Sequence, residues 1–299
     1  MSALRCGDLV FVGGLECGAD DLFPRLDEAL RGEGATLADL VELTTFHADV
    51  REIDDVFAAA AEALQEPYPA WSPVGMVGPA ASGQRIMARA IAHTGGGEKT
   101  AVIPDTIAWW RGRPWSAGCR RGDLVAVSGQ FGTDTDGNVV MPGFHDGQAR
   151  NALNRVKEIC SLLGAGLEDV VDLWSFHQDP RGIEACLEVA GREFFMDGLP
   201  TWTTAGAPAL YGFGMLGQFR ALAGPVRALS VECENAAEAL DAIAALPGTL
   251  AEVVSLHKDI RDAEGLAALG ERAPWTAVGM TGFRDEQSRH ALHAVAVQP

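Results

Sequence analysis

The chain has 299 residues, 47% of them hydrophobic, with a formal net charge of −18 and a pI near 4.7. That length and apolar content support a sizeable core and exclude general disorder. The acidic surface repels phosphate backbones and anionic lipid, which argues against nucleic acid and membranes as partners.

The six cysteines show no C-x-x-C pair, so they read as reduced packing residues of a cytoplasmic protein. In chain order, "GDLVFVGGLECG" reads as strand and "LFPRLDEALRGEGA" as helix. Next come a strand in "LVELTTFHAD", a helix in "DDVFAAAAEAL", a Pro-Trp element "PAWSPVGM" and an alternating strand "QRIMARAIAH". "HTGGGEKTAVIPD" reads as a linker or excursion. The order then repeats. "GDLVAVSGQFGTDTDGNVV" predicts two strands around a Thr-Asp-Gly-Asn turn, and "GQARNALNRVKEICSLLGAG" an amphipathic helix closed by glycine. "VVDLWSFHQD", "IEACLEVAGREFF", "PTWTTAGA" and "GQFRALAG" follow. The last quarter keeps "VRALSVE", a short helix in "NAAEALDAIAAL", then "AEVVSLHKD", "PWTAVGM" and "RHALHAVAV".

His-x-Asp-x-Arg therefore occurs three times, at His47, His177 and His257, each His two residues after Thr45, Ser175 or Ser255. Trp71 to Arg89, Trp202 to Arg220 and Trp275 to His293 are each 18 positions apart. Equal spacings in three places indicate triplication: a first unit at 1–95, a linker at 96–106, a second and most complete unit at 107–224, and a truncated third at 225–299. The hydroxyl, His and Asp of each motif share one strand face, but the outer two lie ~13 Å apart at ~3.3 Å per residue. The Asp is also well placed to cap the following helix. The motif thus marks a copied structural unit rather than a catalytic relay.

The second unit resembles the Rid family, also known as YjgF/YER057c/UK114 and formerly as L-PSP endoribonuclease. The resemblance rests on "SGQ" at Ser128–Gln130, "QAR" at Gln148–Arg150 and the run Gly164–Val171. It implies an α/β (α+β), chorismate mutase-like unit. Three such units in one chain imply an intrachain pseudo-trimer, sheets inside and helices outside, existing as a monomer or low-order oligomer. It also implies ligand clefts between units and hydrolysis of imines or enamines without a cofactor. Active members grip the substrate carboxylate with an Arg and position water with a Glu. The matching positions here hold Trp71, Trp202 and Trp275, and Met87, Gln218 and Ala291.

The candidate substrate-binding residues are therefore Trp71, Trp202, Trp275, Arg89, Arg220, Gln218 and Trp115. The candidate catalytic residues are Ser128, His290 and His293. The tryptophans read either as fillers of inter-unit seams or as aromatic walls for a flat ligand. Arg89 and Arg220 read as carboxylate grips or as inter-unit salt bridges, and a His of near-neutral pKa as a general base. No metal-spaced cluster, phosphate loop or dinucleotide fingerprint stands out, so neither metal nor cofactor is expected. Two functions follow: a cofactor-free enzyme on a small carboxylate or aromatic metabolite, or a ligand-binding protein that has lost the family's Arg and Glu.

Overall fold

The computed structural model describes residues 1–79, 84–212 and 214–298. The first part of the chain forms β1 (Ser2–Cys6), β2 (Leu9–Cys17), α1 (Leu22–Gly32), β3 (Leu40–His47), α2 (Ile53–Ala63), β4 (Ala70–Gly75), β5 (Gly78–Pro79) and β6 (Ile86–His93). The second forms β7 (Thr100–Val102), β8 (Gly118–Arg121), β9 (Leu124–Phe131), α3 (His145–Leu162), β10 (Val170–His177), α4 (Ile183–Glu193), β11 (Thr201–Gly206) and β12 (Gly217–Ala223). The third forms β13 (Val226–Cys233), α5 (Ala236–Ala245), β14 (Thr249–His257), β15 (Trp275–Gly279) and β16 (His290–Val297).

Three mixed sheets result, ordered β1-β2-β6-β3-β4, β7-β8-β9-β12-β10-β11 and β13-β16-β14-β15-β5. In each, the strand carrying His-x-Asp-x-Arg pairs antiparallel with the last alternating strand and parallel with the Trp strand. Helices cover one face. On α1 the buried residues Leu22, Phe23, Leu26 and Leu30 form one stripe, and on α3 Ala149, Ala152, Leu153, Val156, Ile159 and Cys160 do the same. Such 3-4 spacing turns an apolar side toward a sheet.

Three local expectations change. The stretch read as a linker contributes β7, which extends the second sheet beside β8. The Thr-Asp-Gly-Asn hairpin shrinks to a loop with one bridge, Thr133 to Val139. There the Asp134 carboxylate accepts from the backbone N–H groups of Asp136 and Asn138 and holds the chain in a tight turn. The segment after the third motif winds as 3₁₀ over Ile260–Glu271, not α-helix.

The sheets join in a fixed rotation. β4 meets the second sheet, where Trp71 N–H donates to Ser128 Oγ (2.8 Å) and Gly129 N–H to Ser72 Oγ (2.9 Å). β11 meets the third, where Thr201 Oγ1 donates to Ala228 O and Thr204 Oγ1 to Glu232. β15 meets the first, where Gly14 N–H donates to Thr276 Oγ1 (2.9 Å). The loops after these strands pair the other way round: Gly75 N–H with Ala209 O, Gly206 N–H with Gly282 O, and Val77 N–H with Gly279 O. A Cβ at Gly75 would lie 2.6 Å from Ala209 O and 2.9 Å from Ala209 N. Glycine is therefore required where neighbouring backbones approach this closely.

Candidate functional site: an aromatic box and a buried ion cluster

Each His-x-Asp-x-Arg builds the same small structure. The Asp49, Asp179 and Asp259 carboxylates accept from the backbone N–H of Arg51, Arg181 and Arg261 and cap the turn that follows. The guanidinium folds back onto the same carboxylate. The His ring lies under the helix side of the sheet. Its Nε2 is 2.8 Å from Thr45 Oγ1, 2.8 Å from Ser175 Oγ or 2.9 Å from Ser255 Oγ. The same hydroxyl accepts the indole N–H of Trp71, Trp202 or Trp275 at 2.7–2.9 Å. Burial pushes the three imidazoles down to about 4, about 3 and about 4, so they are neutral at pH 7. The Trp–hydroxyl–His chain thus fixes rotamers on the Trp strand.

At the seam between the first and second sheets this fixed indole becomes a wall. Trp71 packs edge-on against Phe23, Phe57 and Trp115 at centroid distances of 6.0, 5.2 and 6.4 Å. Phe57 also meets Trp115 at 4.3 Å and Tyr211 at 5.4 Å. Trp110 packs edge-on to Trp115, and Trp109 to Trp110. The enclosed space is ≈ 20 Å³, room for one or two waters. Trp115 is also one wall of an open basin of ≈ 610 Å³, with Tyr68, the cations Lys99, Arg111 and Arg113 and the carboxylates Glu66 and Glu98 among its other walls. The Arg113 guanidinium lies 5.8 Å from the Trp115 ring and, among the described residues, forms no ion pair. Arg111, by contrast, is held by Asp105.

Trp109 and Trp110 belong to a 3₁₀ turn at Asp105–Trp110 that sequence reasoning passed over. Arg155 on α3 pins it, donating to Thr106 O (2.9 Å) and to Thr133 O, while Thr106 Oγ1 donates to Glu158 (2.6 Å). The available signal was two adjacent tryptophans in a short Pro-flanked connection, where exposed indoles would carry a large apolar cost.

The remaining candidates lie elsewhere. The Ser128 hydroxyl is fully engaged, accepting from Trp71 N–H and donating to Ser116 O. Gln218 and Gln130 are buried beside Gly129. Trp202 and Trp275 stay partly exposed at the other two seams. His290 Nδ1 is 3.1 Å from His257 Nδ1.

Arg89 and Arg220 correct the expectation of cleft-facing cations. Both are 1% exposed, and their ion pairs reach carboxylates on other sheets, Glu252 for Arg89 and Glu42 for Arg220. Arg89 donates to Glu252 through two hydrogen bonds of 2.6 Å and to Glu42 at 2.7 Å. Arg220 lies 3.3 Å from Asp172 and 3.6 Å from Glu42, with its guanidinium 4.6 Å from the Trp174 ring. His293 takes the third equivalent place, 3.0 Å from Thr203 Oγ1 and 3.6 Å from Asp172. Burial and then the two guanidiniums hold its pKa well below the usual imidazole range. A neutral, fully buried His293 has no route to act as a general base on an outside ligand.

The three carboxylates were missed by sequence reasoning. Each sits just after a register shift in its strand, at Leu40/Glu42, Val170/Asp172 and Leu250/Glu252. A β-bulge re-aims the residue that follows it, and here all three aim at the centre. The signal was an acidic residue five positions before each motif His.

Comparison with known proteins fits this geometry. The sequence profile of the family described as Endoribonuclease L-PSP matches residues 111–223. RutC family protein YjgH of Escherichia coli K12 is 35% identical over 118 residues, which is 39% of this chain and 88% of that protein. The chain belongs to the Rid (YjgF/YER057c/UK114, L-PSP) family. Among solved structures, the Rid-family protein Rv2704 of Mycobacterium tuberculosis is 26% identical and aligns over 42% of this chain and 99% of its own, with a TM-score of 0.36. A chorismatase is 16% identical but aligns over 74% of this chain and 76% of its own, with a TM-score of 0.55. The Rid relationship suggests small-molecule binding or an enzyme-like function, and the chorismatase likeness is one of fold.

Proposed function

We propose that this chain is three Rid-like units, 1–95, 107–224 and 225–299, closed into a ring, and that it binds a small flat ligand at the seam between the first two. The rotating contacts of β4, β11 and β15 with the next sheet, and the reverse pairing of the loops after them, support the ring. Wall residues Trp71 and Trp115 support the binding site. Trp71 stands where the family resemblance assigns the substrate-gripping Arg, and its indole is tied to Thr45. Among the described residues, the walls of the box include no carboxylate, imidazole or thiol; the Tyr211 phenol is pushed up by burial. The positions that the family resemblance gives to the gripping Arg and the water-positioning Glu hold Trp71 and Met87, neither of which can move a proton, which favours the binding reading of the two. The observation that carries it is Trp115, shared between a nearly filled aromatic box and an open basin in which Arg113 forms no ion pair among the described residues.

The ligand is a flat ring that lies on Trp115 and carries an anionic group for Arg113. Titration of tryptophan fluorescence with benzoate, salicylate and an indole carboxylate tests this. At least one of them should quench saturably, the effect should be lost in Trp115→Ala, and affinity should fall about tenfold in Arg113→Ala, the scale of a hydrogen bond to a charged group. Quenching unchanged in both variants would remove the basin from consideration. Sustained ammonia release from a freshly generated imino acid would restore the hydrolytic reading.

A further inference from the structure

Among the described residues, the second sheet gathers a constellation that has no counterpart at the other two. His145 opens α3, His177 ends β10, and Cys186 lies in the first turn of α4. One ring nitrogen of each His and Cys186 Sγ lie within 4.8 Å of one another. Sequence spacing hides the set, because 32 and then 9 positions separate its members. Nine residues after the first and third motif His stand Val56 and Leu266, so nothing equivalent is possible there.

The His177 ring is oriented from behind. Its Nε2 is bound at 2.8 Å to Ser175 Oγ, while its Nδ1 is fully buried and has no partner. His145 Nδ1 is likewise buried and unpartnered. The His145 imidazole lies so close over Gly182 that a Cβ there would be 2.0 Å from Nδ1; only glycine leaves room for this ring. Two imidazoles with buried, unpartnered nitrogens stand beside one thiol, and the His177 ring is braced by an outer hydrogen bond as metal-binding histidines are.

We propose that His145, His177 and Cys186 bind one Zn²⁺ or a similar borderline transition metal, with a fourth position open to solvent beside half-exposed His145. Tetrahedral zinc, with Zn–N ~2.0–2.1 Å and Zn–S ~2.3 Å, needs donors roughly 3.3–3.8 Å apart. Closure of about 1 Å is therefore required, and rotation of the His145 side chain supplies it. His177 is ready as a neutral ligand. The Cys186 thiol is pushed up to about 12, first by burial and then by Asp146, and donates to His145 O at 3.7 Å. Metal entry therefore replaces the thiol proton and ties α3, β10 and α4 together.

The test is calorimetric titration of chelator-treated full-length protein with zinc, and absorption spectroscopy with Co²⁺. One ion per chain should bind, with a thiolate-to-cobalt charge-transfer band. Affinity should rise about tenfold per pH unit because one proton leaves. His145→Ala, at a partly exposed helix start, should keep its fold by circular dichroism yet bind about tenfold or more weakly. Cys186→Ser should lose the band. Absence of saturable binding, or binding and a band that persist unchanged in both variants, would overturn the assignment.

Discussion

Arg89 and Glu252, 163 residues apart, are joined through two hydrogen bonds of 2.6 Å, and neither side chain reaches solvent. Removing one partner strands the other charge in the interior, an effect of about 3–5 kcal/mol. Arg89→Met should lower the unfolding free energy by that amount in denaturant titrations, because Glu252 loses its cation and Glu42 keeps only Arg220 at 3.6 Å. The double replacement Arg89→Met with Glu252→Gln should recover part of the loss.

The same cluster has three carboxyls, Glu42, Asp172 and Glu252, but two guanidiniums. Burial lifts Asp172 to about 6 despite Arg220 and Arg89 nearby. A raised carboxyl pKa contributes stability that is full below the unfolded value of ~3.9 and lost as pH rises through about 6. Asp172→Asn should therefore gain stability relative to the parent as pH rises from 4 to 6, then hold that gain at higher pH. Melts across this range read the difference directly; a gap independent of pH would show that Asp172 is ionised throughout.

His177 gives the opposite slope. Its folded pKa lies at about 3, through burial and then the nearby His145, against an unfolded value of ~6.5. The unfolded chain then binds more protons, so its contribution is present above pH 6.5 and is lost progressively as pH falls toward 3–4. Relative to His177→Asn, the parent should lose stability steeply below pH 6.5. Parallel curves for the two proteins would contradict this.

Asp49 tests the structural role of the repeated motif. Asp49→Ala removes the acceptor for Arg51 N–H and should lower the melting temperature. Asp49→Asn, which keeps a cap oxygen, should lower it less. Neither should alter ligand quenching of Trp115.

Much of the fold was legible because it is periodic. Alternation marked β6, β12 and β16, and the 18-residue spacing tied each to its Trp strand. What failed was local: Thr-Asp-Gly-Asn carries a hairpin signal, yet Asp134 satisfies the loop backbone without a second strand. The site was harder to read, because it depends on which sheet face looks inward. Arg89 shares a face with Met87, as alternation requires, but that face meets two other sheets and not a cleft. Bulges move Glu42, Asp172 and Glu252 by one residue, and a period-two reading does not register such a shift. His145, His177 and Cys186 come together only through tertiary packing of α3 and α4.

Writing all three sheets in one polypeptide frees each border to change alone. Identical subunits carry every substitution into every cleft at once. Here the Trp109–Trp110 turn walls one border, the pair His257–His290 belongs to the third sheet, and a thiol with two imidazoles belongs to the second. Each of these features can therefore change in one sheet without being copied into the other two.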